Sequence, residues 1–551
     1  MRTSFVARPA EQQAEPPEQR AAPRSARLIR LWNGMLIAAL IVLAVASLLA
    51  FRLQRAPDLF ADEGLYASVS ANLAAGRGLV ENSGRPFIWH PPLFMIAGGG
   101  LLWASGAADA GPIGQILALR QLSVLAAAVT VGALFALGWR IGGRACAVAA
   151  ALLFALDPYI QRINRRAMLE PLAGALGVVA LWLALDALGR PRWLPRALAA
   201  GFVFGLAALT KEIMLLGPAA VVLYAALFRR ERLGRAGVVA GAAAAVYGVY
   251  PLGIAAAGLW PAYADMKTRQ LFRLVSKLAG APAPPPTGTV VTGARVSVWE
   301  NLLMTAPPYF WSYVLIAVGG LLIARIAYGV LPWARWRPGP ALLLTAIYAA
   351  LNYLVVGASF VFGNGSDQFF YYVIVPATLL VGWGLVALWR WAGASAGPRL
   401  RRALAAGCGL LLAAALIWNV GVYVRVFAAA RDDSYVRLVA YLHEHVPPGA
   451  TIVVGNDLAN YILPDYTVRF DRQPEDIERR KIRYVVLSSK ERWGGYNNVS
   501  REFYDWVAAH GEPRLVLEGP TFWTLTLFEM HTAEQPVEQY TEGRPAPDDR
   551  P

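Results

Sequence analysis

The chain has 551 residues, 57% of them hydrophobic and only 16% charged, with a net charge of +15 and a mean hydropathy of +0.43. Soluble globular proteins carry about 25% charged residues, so the composition excludes an ordinary soluble enzyme and points to the bilayer. Of the 51 basic residues only five are lysine, and they fall in short segments between apolar runs. That excludes the clustered basic face of a nucleic-acid-binding protein and fits membrane topology.

Residues 1–30 read as a polar cytoplasmic tail, disordered over most of its length. The apolar run 31–51 follows this tail and is long enough to cross, so it reads as an uncleaved anchor rather than a signal peptide. A crossing needs roughly 20 apolar residues, and spans are expected near 33–52, 114–138, 145–160, 168–188, 197–210, 213–228, 236–257, 309–329, 340–361, 369–390 and 403–427. That makes about eleven transmembrane helices in a domain covering 31–430. The stretch 93–105 is apolar but short, and reads as a re-entrant or interfacial helix. Arginines mark alternate connections: Arg24, Arg27 and Arg30, then Arg140 and Arg144, then Arg190, Arg192 and Arg196, then Arg229 to Arg235, then Arg325, Arg335 and Arg337, then Arg390 to Arg402. By the positive-inside rule these segments and the N-terminus are cytoplasmic, in a multi-pass protein of the inner (plasma) membrane. Two extracytoplasmic connections are long, 53–92 and 258–308, the second carrying the proline run 282–286. Residues 431–532 read as a small soluble extracytoplasmic α/β domain, with strands at 451–455, 482–487, 514–517 and 523–528 and helices at 434–445 and 500–509. Residues 533–551 read as a disordered tail. Cys146 and Cys408 suggest neither a disulfide framework nor a cysteine metal site.

The candidate chemistry lies in the outside connections. Asp62-Glu63 reads either as first-turn acids of the following helix or as a pair able to serve as general base or to hold a divalent cation. In Trp89-His90-Pro91-Pro92-Leu93 the prolines force an extended entry into the next apolar run and leave His90 at the membrane boundary. Between 161 and 171, Arg162, Arg166 and Glu170 share a face if that segment is one helix. A salt-bridged helix end explains Arg166 and Glu170, but not three outside arginines, Arg162, Arg165 and Arg166, running against the topological bias. Arginine is the preferred forked ligand of phosphate. Lys211, in Thr210-Lys211-Glu212, is a snorkelling lysine or a further phosphate cation. Asp367, Gln368, Tyr371 and Tyr372 open another outside helix, where aromatic belts place tyrosines in any case. Gly455-Asn456-Asp457 reads as a turn.

Taken together, these positions resemble the membrane glycosyltransferases of the C-type fold, in particular the protein O-mannosyltransferase-like family and its aminoarabinose-transferase relatives. The resemblance covers about 33–430 and rests on Asp62-Glu63, on His90-Pro91-Pro92-Leu93, and on the run from Arg162 to Glu170, in that order. Two departures stand out: aminoarabinose transferases carry lysine where this chain has His90, and the soluble domain that protein mannosyltransferases insert between spans is missing. The resemblance implies inverting transfer of a sugar from a polyprenyl-phosphate donor to an envelope glycan, lipid or protein. His90, Arg162, Arg165, Arg166 and Lys211 would hold the carrier phosphate. Asp62, Glu63 and Glu170 would supply the catalytic carboxylates, with Asp62 favoured as base, and Tyr66, Asp367, Gln368, Tyr371 and Tyr372 would line the pocket. A divalent metal ion held by Asp62 and Glu170 stays open. No nucleotide-binding fingerprint is evident, and neither a nucleotide nor a redox cofactor is expected. The competing classes are a transporter, which would place ionisable groups mid-span in two related halves, and a non-catalytic polysaccharide assembly or export component.

Overall fold

The computed structural model describes residues 24–278, 298–331, 338–361, 367–395, 397–490 and 499–531. The segment 1–23, the proline run 282–286 and the tail 533–551 lie outside the described residues. Helices α1 (Arg24–Ala50), α2 (Ala61–Ala74), α3 (Leu93–Ser105), α4 (Gly111–Gly142), α5 (Arg144–Leu156), α6 (Pro158–Asn164), α7 (Leu169–Gly189) and α8 (Leu194–Thr210) form the first half of a helical bundle. The second half is α9 (Leu216–Phe228), α10 (Leu233–Ala256), α11 (Trp260–Leu278), α12 (Val298–Val330), α13 (Pro340–Val361), α14 (Phe370–Ser395) and α15 (Pro398–Tyr423). Large apolar side chains such as Leu36, Leu40, Leu321, Leu354 and Ile417 point outward unpartnered, as expected where lipid is the solvent. Inside, small residues let backbones approach: a Cβ on Gly201 of α8 would lie 2.5 Å from the Val239 carbonyl oxygen of α10.

Each of the eleven predicted spans meets a helix. Among the described residues, eight helices are long and apolar enough to cross a membrane, and a ninth crossing arises if α5 and α6, bent by 67°, count as one. Leu194–Thr210 and Glu212–Phe228 are shorter than a crossing requires, so the number eleven is not established. The α5/α6 bend has a local cause. Pro158 cannot continue the helix before it, and the Asp157 carboxylate caps the next one by accepting from the Ile160 N–H at 2.9 Å. The 161–171 segment is a correction to the sequence reading. Helix α6 stops at Asn164 and α7 begins at Leu169, with Pro171 in its first turn. Arg162, Arg166 and Glu170 therefore share no helical face.

The C-terminal unit carries a five-stranded sheet, β1 (Thr451–Val454), β2 (Thr467–Arg469), β3 (Tyr484–Ser488), β4 (Gly511–Gly519) and β5 (Trp523–Met530), in the order β2-β1-β3-β5-β4. Strand β1 runs parallel to β2 and β3, while β5 is antiparallel to β3 and β4. The four predicted strands and the helices α16 (Ser434–His445) and α19 (Arg501–His510) are present, whereas β2, α17 (Ala459–Ile462) and α18 (Pro474–Arg479) are additions. Gly455-Asn456-Asp457 is a turn, in which the Asn456 side chain accepts from the Leu458 N–H at 2.9 Å.

This unit is fastened to the loop after α1. Asp432 Oδ2 accepts from the Asp58 N–H (3.2 Å) and from the Thr521 hydroxyl (2.7 Å), and its Oδ1 from the Thr521 N–H (3.0 Å). Asp58 Oδ2 accepts from the Tyr435 N–H at 3.2 Å. Burial, then the neighbouring Asp432 charge, pushes the Asp58 carboxyl from an ordinary 3.8 up to about 7, against the opposing hydrogen bonds from the Leu59 and Tyr435 N–H groups and the weaker pull of Arg120. A carboxyl whose acidity is weakened by docking favours the docked state while it is protonated. Docking is then tightest in acid and loosens as pH rises to about 7. Amide hydrogen exchange across 431–435 should therefore accelerate between about pH 4 and about pH 7 beyond its intrinsic base catalysis, and follow the intrinsic rate above that. That excess should vanish in Asp58→Asn.

Candidate active site

The acidic pair opens α2, and its two members have different fates. Glu63 is fully buried. Its carboxylate accepts from the Phe60 N–H (3.0 Å), from the Ala167 N–H (2.8 Å) and from the fork of Arg120, Nε at 2.8 Å and Nη2 at 2.9 Å. Arg120 spends its remaining donors on the carbonyls of Leu53 (3.0 Å), Pro57 (2.8 Å) and Asp58 (3.3 Å). Glu63 is thus the hub that ties α2, α4 and the α6/α7 loop together, with no oxygen left for an acceptor. Asp62, one residue earlier, is half-buried and acts electrostatically on the hydroxyls of Tyr66 and Tyr461.

The arginine run also divides. Arg165 is buried and donates to the carbonyls of Leu48 (3.1 Å), Leu49 (2.9 Å), Phe51 (2.7 Å) and Ala56 (2.9 Å). These are the orphan acceptors at the C-terminal end of α1 and just beyond it. Arg165 therefore caps a helix and has no fork free for phosphate, contrary to the sequence expectation. Its replacement by methionine should lower stability by about 1–3 kcal/mol through the stranded carbonyls, measured as a fall in the thermal midpoint, with polyprenyl-phosphate affinity unchanged. Arg166 is buried under the C-terminal unit, its Nη2 at 3.4 Å from both the Asp58 carbonyl and the Thr521 hydroxyl. Arg162 lies over the rings of Tyr159 and Tyr309, at 5.1 and 5.2 Å.

A second cluster forms where α2, α7, the α8/α9 connection, α11 and α14 meet. The Lys211 ammonium is paired with Glu170 Oε1 and lies 5.1 Å from the Phe369 ring and 5.9 Å from the Tyr372 ring. Glu170 Oε2, the Tyr372 hydroxyl and Gln368 Oε1 are buried without hydrogen-bond partners among the described residues. Lys267 of α11 reaches Glu212 Oε1 at 2.6 Å. The Tyr66 ring lies 6.1 Å from His90, and its hydroxyl is held protonated by burial and by the charges of Asp62, Glu170 and Glu212. Burial, then the ammoniums of Lys211 and Lys267, pull the His90 imidazole down to about 3. His90 is therefore a neutral donor or acceptor at physiological pH. Tyr371 is structural, its hydroxyl donating to Asn164 Oδ1 at 3.1 Å. The side chain of Asp367 lies outside the described residues.

Three residues of these networks were missed in the sequence: Arg120, Glu212 and Lys267. A lone arginine inside the apolar run 114–138 was a signal. Lys267 sits on an amphipathic helix that had been read as loop.

Asp62 and Glu170 fit a divalent metal poorly. Lys211 already occupies one oxygen of Glu170, and among the described residues no three metal-ligating side chains converge.

Residues 113–254 match the family model described as dolichyl-phosphate-mannose-protein mannosyltransferase. Among solved structures, the chain is similar to ArnT from Cupriavidus metallidurans bound to undecaprenyl phosphate, at 14% identity and TM-score 0.50, over 89% of this chain and 97% of that one. It is similar to the Archaeoglobus fulgidus oligosaccharyltransferase in complex with Zn and sulfate, at 14% identity and TM-score 0.53, over 88% and 72%. The archaeal oligosaccharyltransferase AglB from Archaeoglobus fulgidus, in complex with an inhibitory peptide and a dolichol-phosphate, aligns at 12% identity and TM-score 0.51, over 90% and 74%. No curated protein sequence matches the chain. The architecture is that of the membrane C-type glycosyltransferase fold.

Proposed function

We propose that this chain is a membrane glycosyltransferase that moves a sugar from a polyprenyl-phosphate donor to a cell-envelope acceptor, with inversion at the anomeric carbon. The observation that carries the reading is the meeting of a half-buried carboxylate, Asp62, with Tyr66, His90 and the two ammoniums of Lys211 and Lys267 around one group of helix ends. The match of 113–254 to a family that uses a prenyl-phosphate sugar supports it.

In this reading the prenyl chain lies in the bilayer and its phosphate enters between Lys211 and Lys267. The acceptor hydroxyl attacks the anomeric carbon while its proton passes to Asp62. The bond from that carbon to the phosphate oxygen breaks, and its electron pair leaves on the prenyl phosphate. That group gains one negative charge, which Lys211 and Lys267 stabilise more in the transition state than in the bound donor. Glu170 and Glu212 hold the two ammoniums in place, and neutral His90 donates one hydrogen bond. The charged groups gather at helix ends, which favours this reading over a transporter with a mid-membrane site.

The finer assignments belong to the same proposal. The transferred group is a hexose or a pentose, the N-terminus is cytoplasmic, and the unit 431–532 is a separate extracytoplasmic domain. Mass spectrometry of envelope lipids and glycans from a deletion strain tests the proposal. Loss of one hexosyl or pentosyl substituent, with build-up of its prenyl-phosphate form, is the expected result. An unchanged glycan profile in a strain shown to express the protein would overturn it.

A further inference from the structure

Helix α2 has a second face, and it borders a cavity of about 160 Å³ that the phosphate cluster does not use. Ser68, Asn72, Arg77, Asn82 and Gln115 line it from the membrane unit, and Tyr461 closes it from the C-terminal unit. Gly64 belongs to the same wall. A Cβ there would lie 2.8 Å from the Cβ of Tyr461, so only glycine lets α17 sit this close to α2. The wall therefore depends on both units, and it begins two residues from Asp62, whose charge reaches the Tyr461 hydroxyl.

The lining chemistry narrows the occupant. Arg77 is oriented by a hydrogen bond from its Nε to Asn72 Oδ1 at 2.9 Å, which uses only one arm of the guanidinium. Asn72 also donates to the Val80 carbonyl at 2.7 Å, and Gln115 Nε2 to the Ala108 carbonyl at 2.6 Å. The Asn72 and Gln115 amides are thus fixed in orientation, and the Gln115 carbonyl and the unanchored Asn82 amide can serve as acceptor and donor. Fixed amides and a guanidinium beside an aromatic ring match a ring bearing adjacent hydroxyls. The cavity is too polar for a prenyl chain, and it is well below the roughly 300–1,000 Å³ of drug-sized sites.

We infer that this cleft binds one sugar ring of the acceptor, so that the acceptor is a glycan and its reactive hydroxyl is presented to Asp62 from the Tyr461 side. This rests on the glycosyltransferase reading and names its acceptor class. Tyr461 is then a specificity-determining residue contributed by the C-terminal unit.

The test uses the full chain in detergent and two separate readouts. Saturation-transfer NMR follows a panel of methyl glycosides (neutral hexosides, a hexosamine and a uronate) and a short serine- and threonine-containing peptide. Undecaprenyl phosphate binding is followed independently by thermal shift. Expected is binding of at least one glycoside, weakened at least fivefold in Ala71→Leu, which fills the cleft, and in Tyr461→Ala, with the undecaprenyl phosphate shift retained. Should Ala71→Leu not fold, Arg77→Ala at the exposed rim serves in its place. Binding of the peptide alone, of no glycoside, or of glycosides equally by the variants would overturn the inference. Absence of an undecaprenyl phosphate shift in the wild type would instead count against the underlying donor reading.

Discussion

Replacing Asp62 with asparagine is expected to lower the rate of sugar transfer by roughly 10²–10⁴, the usual cost of losing a general base, while prenyl-phosphate affinity stays within about twofold. The three carboxylates that the sequence offered as catalytic lie near the cluster, and geometry separates them. Glu63 is locked in the Arg120 fork and by two backbone N–H groups. Glu170 neutralises Lys211. Asp62 alone of the three is only half-buried, and it acts on Tyr66 beside His90. Asparagine keeps the size and the hydrogen bonding of aspartate but cannot take the proton. Glu170→Gln should behave differently, because it frees Lys211 and alters prenyl-phosphate affinity before turnover. Turnover and affinity measured on both purified variants decide the matter. Normal turnover in Asp62→Asn together with collapse in Glu170→Gln would move the base to Glu170.

Arg120→Ala is expected to destabilise the membrane unit by about 3–5 kcal/mol, the range for removing one partner of a buried ion pair. It strands the Glu63 carboxylate and the carbonyls of Leu53 and Pro57 in a site that water does not reach. Arg120→Lys should recover little, since an ammonium cannot reproduce the planar fork. A double replacement, Glu63→Gln with Arg120→Met, should recover part of the loss because no charge is left buried. The readout is the thermal midpoint and the yield of monodisperse protein in detergent. An Arg120→Ala protein of normal stability that fails to bind prenyl phosphate would show Arg120 to be a substrate ligand instead of a strut.

Much of the architecture could be read from the chain because bilayer helices announce themselves as long apolar runs. Their breaks could not. The bend at Asp157-Pro158 falls inside the predicted span 145–160, and the polar connection 161–171 carries no glycine to mark the gap between Asn164 and Leu169, so Arg162, Arg166 and Glu170 could be placed on one helix face. The acidic pair and the arginine run were recognised as unusual, yet the division of roles inside each depends on tertiary neighbours. Arg165 is consumed because α1 happens to end beneath it, and Glu63 because Arg120 reaches across from α4. His90 was read as a boundary group for the carrier phosphate with a weaker or pH-dependent charge, and burial, then two nearby lysines, keep it neutral. The C-terminal unit was legible in its longer strands and in the Ser500 cap of α19, which accepts from the Phe503 N–H at 3.0 Å. A three-residue edge strand such as β2 carries too little alternation to be seen.

The most direct measurement supplies purified protein with an undecaprenyl-phosphate-linked sugar and membranes of the deletion strain, and follows labelled sugar and free undecaprenyl phosphate together. Expected is transfer of label to an envelope glycan with stoichiometric release of undecaprenyl phosphate, abolished by Lys211→Gln and by Asp62→Asn. Release that is insensitive to both substitutions, or transfer that proceeds from a nucleotide sugar without the lipid carrier, would contradict the proposed chemistry.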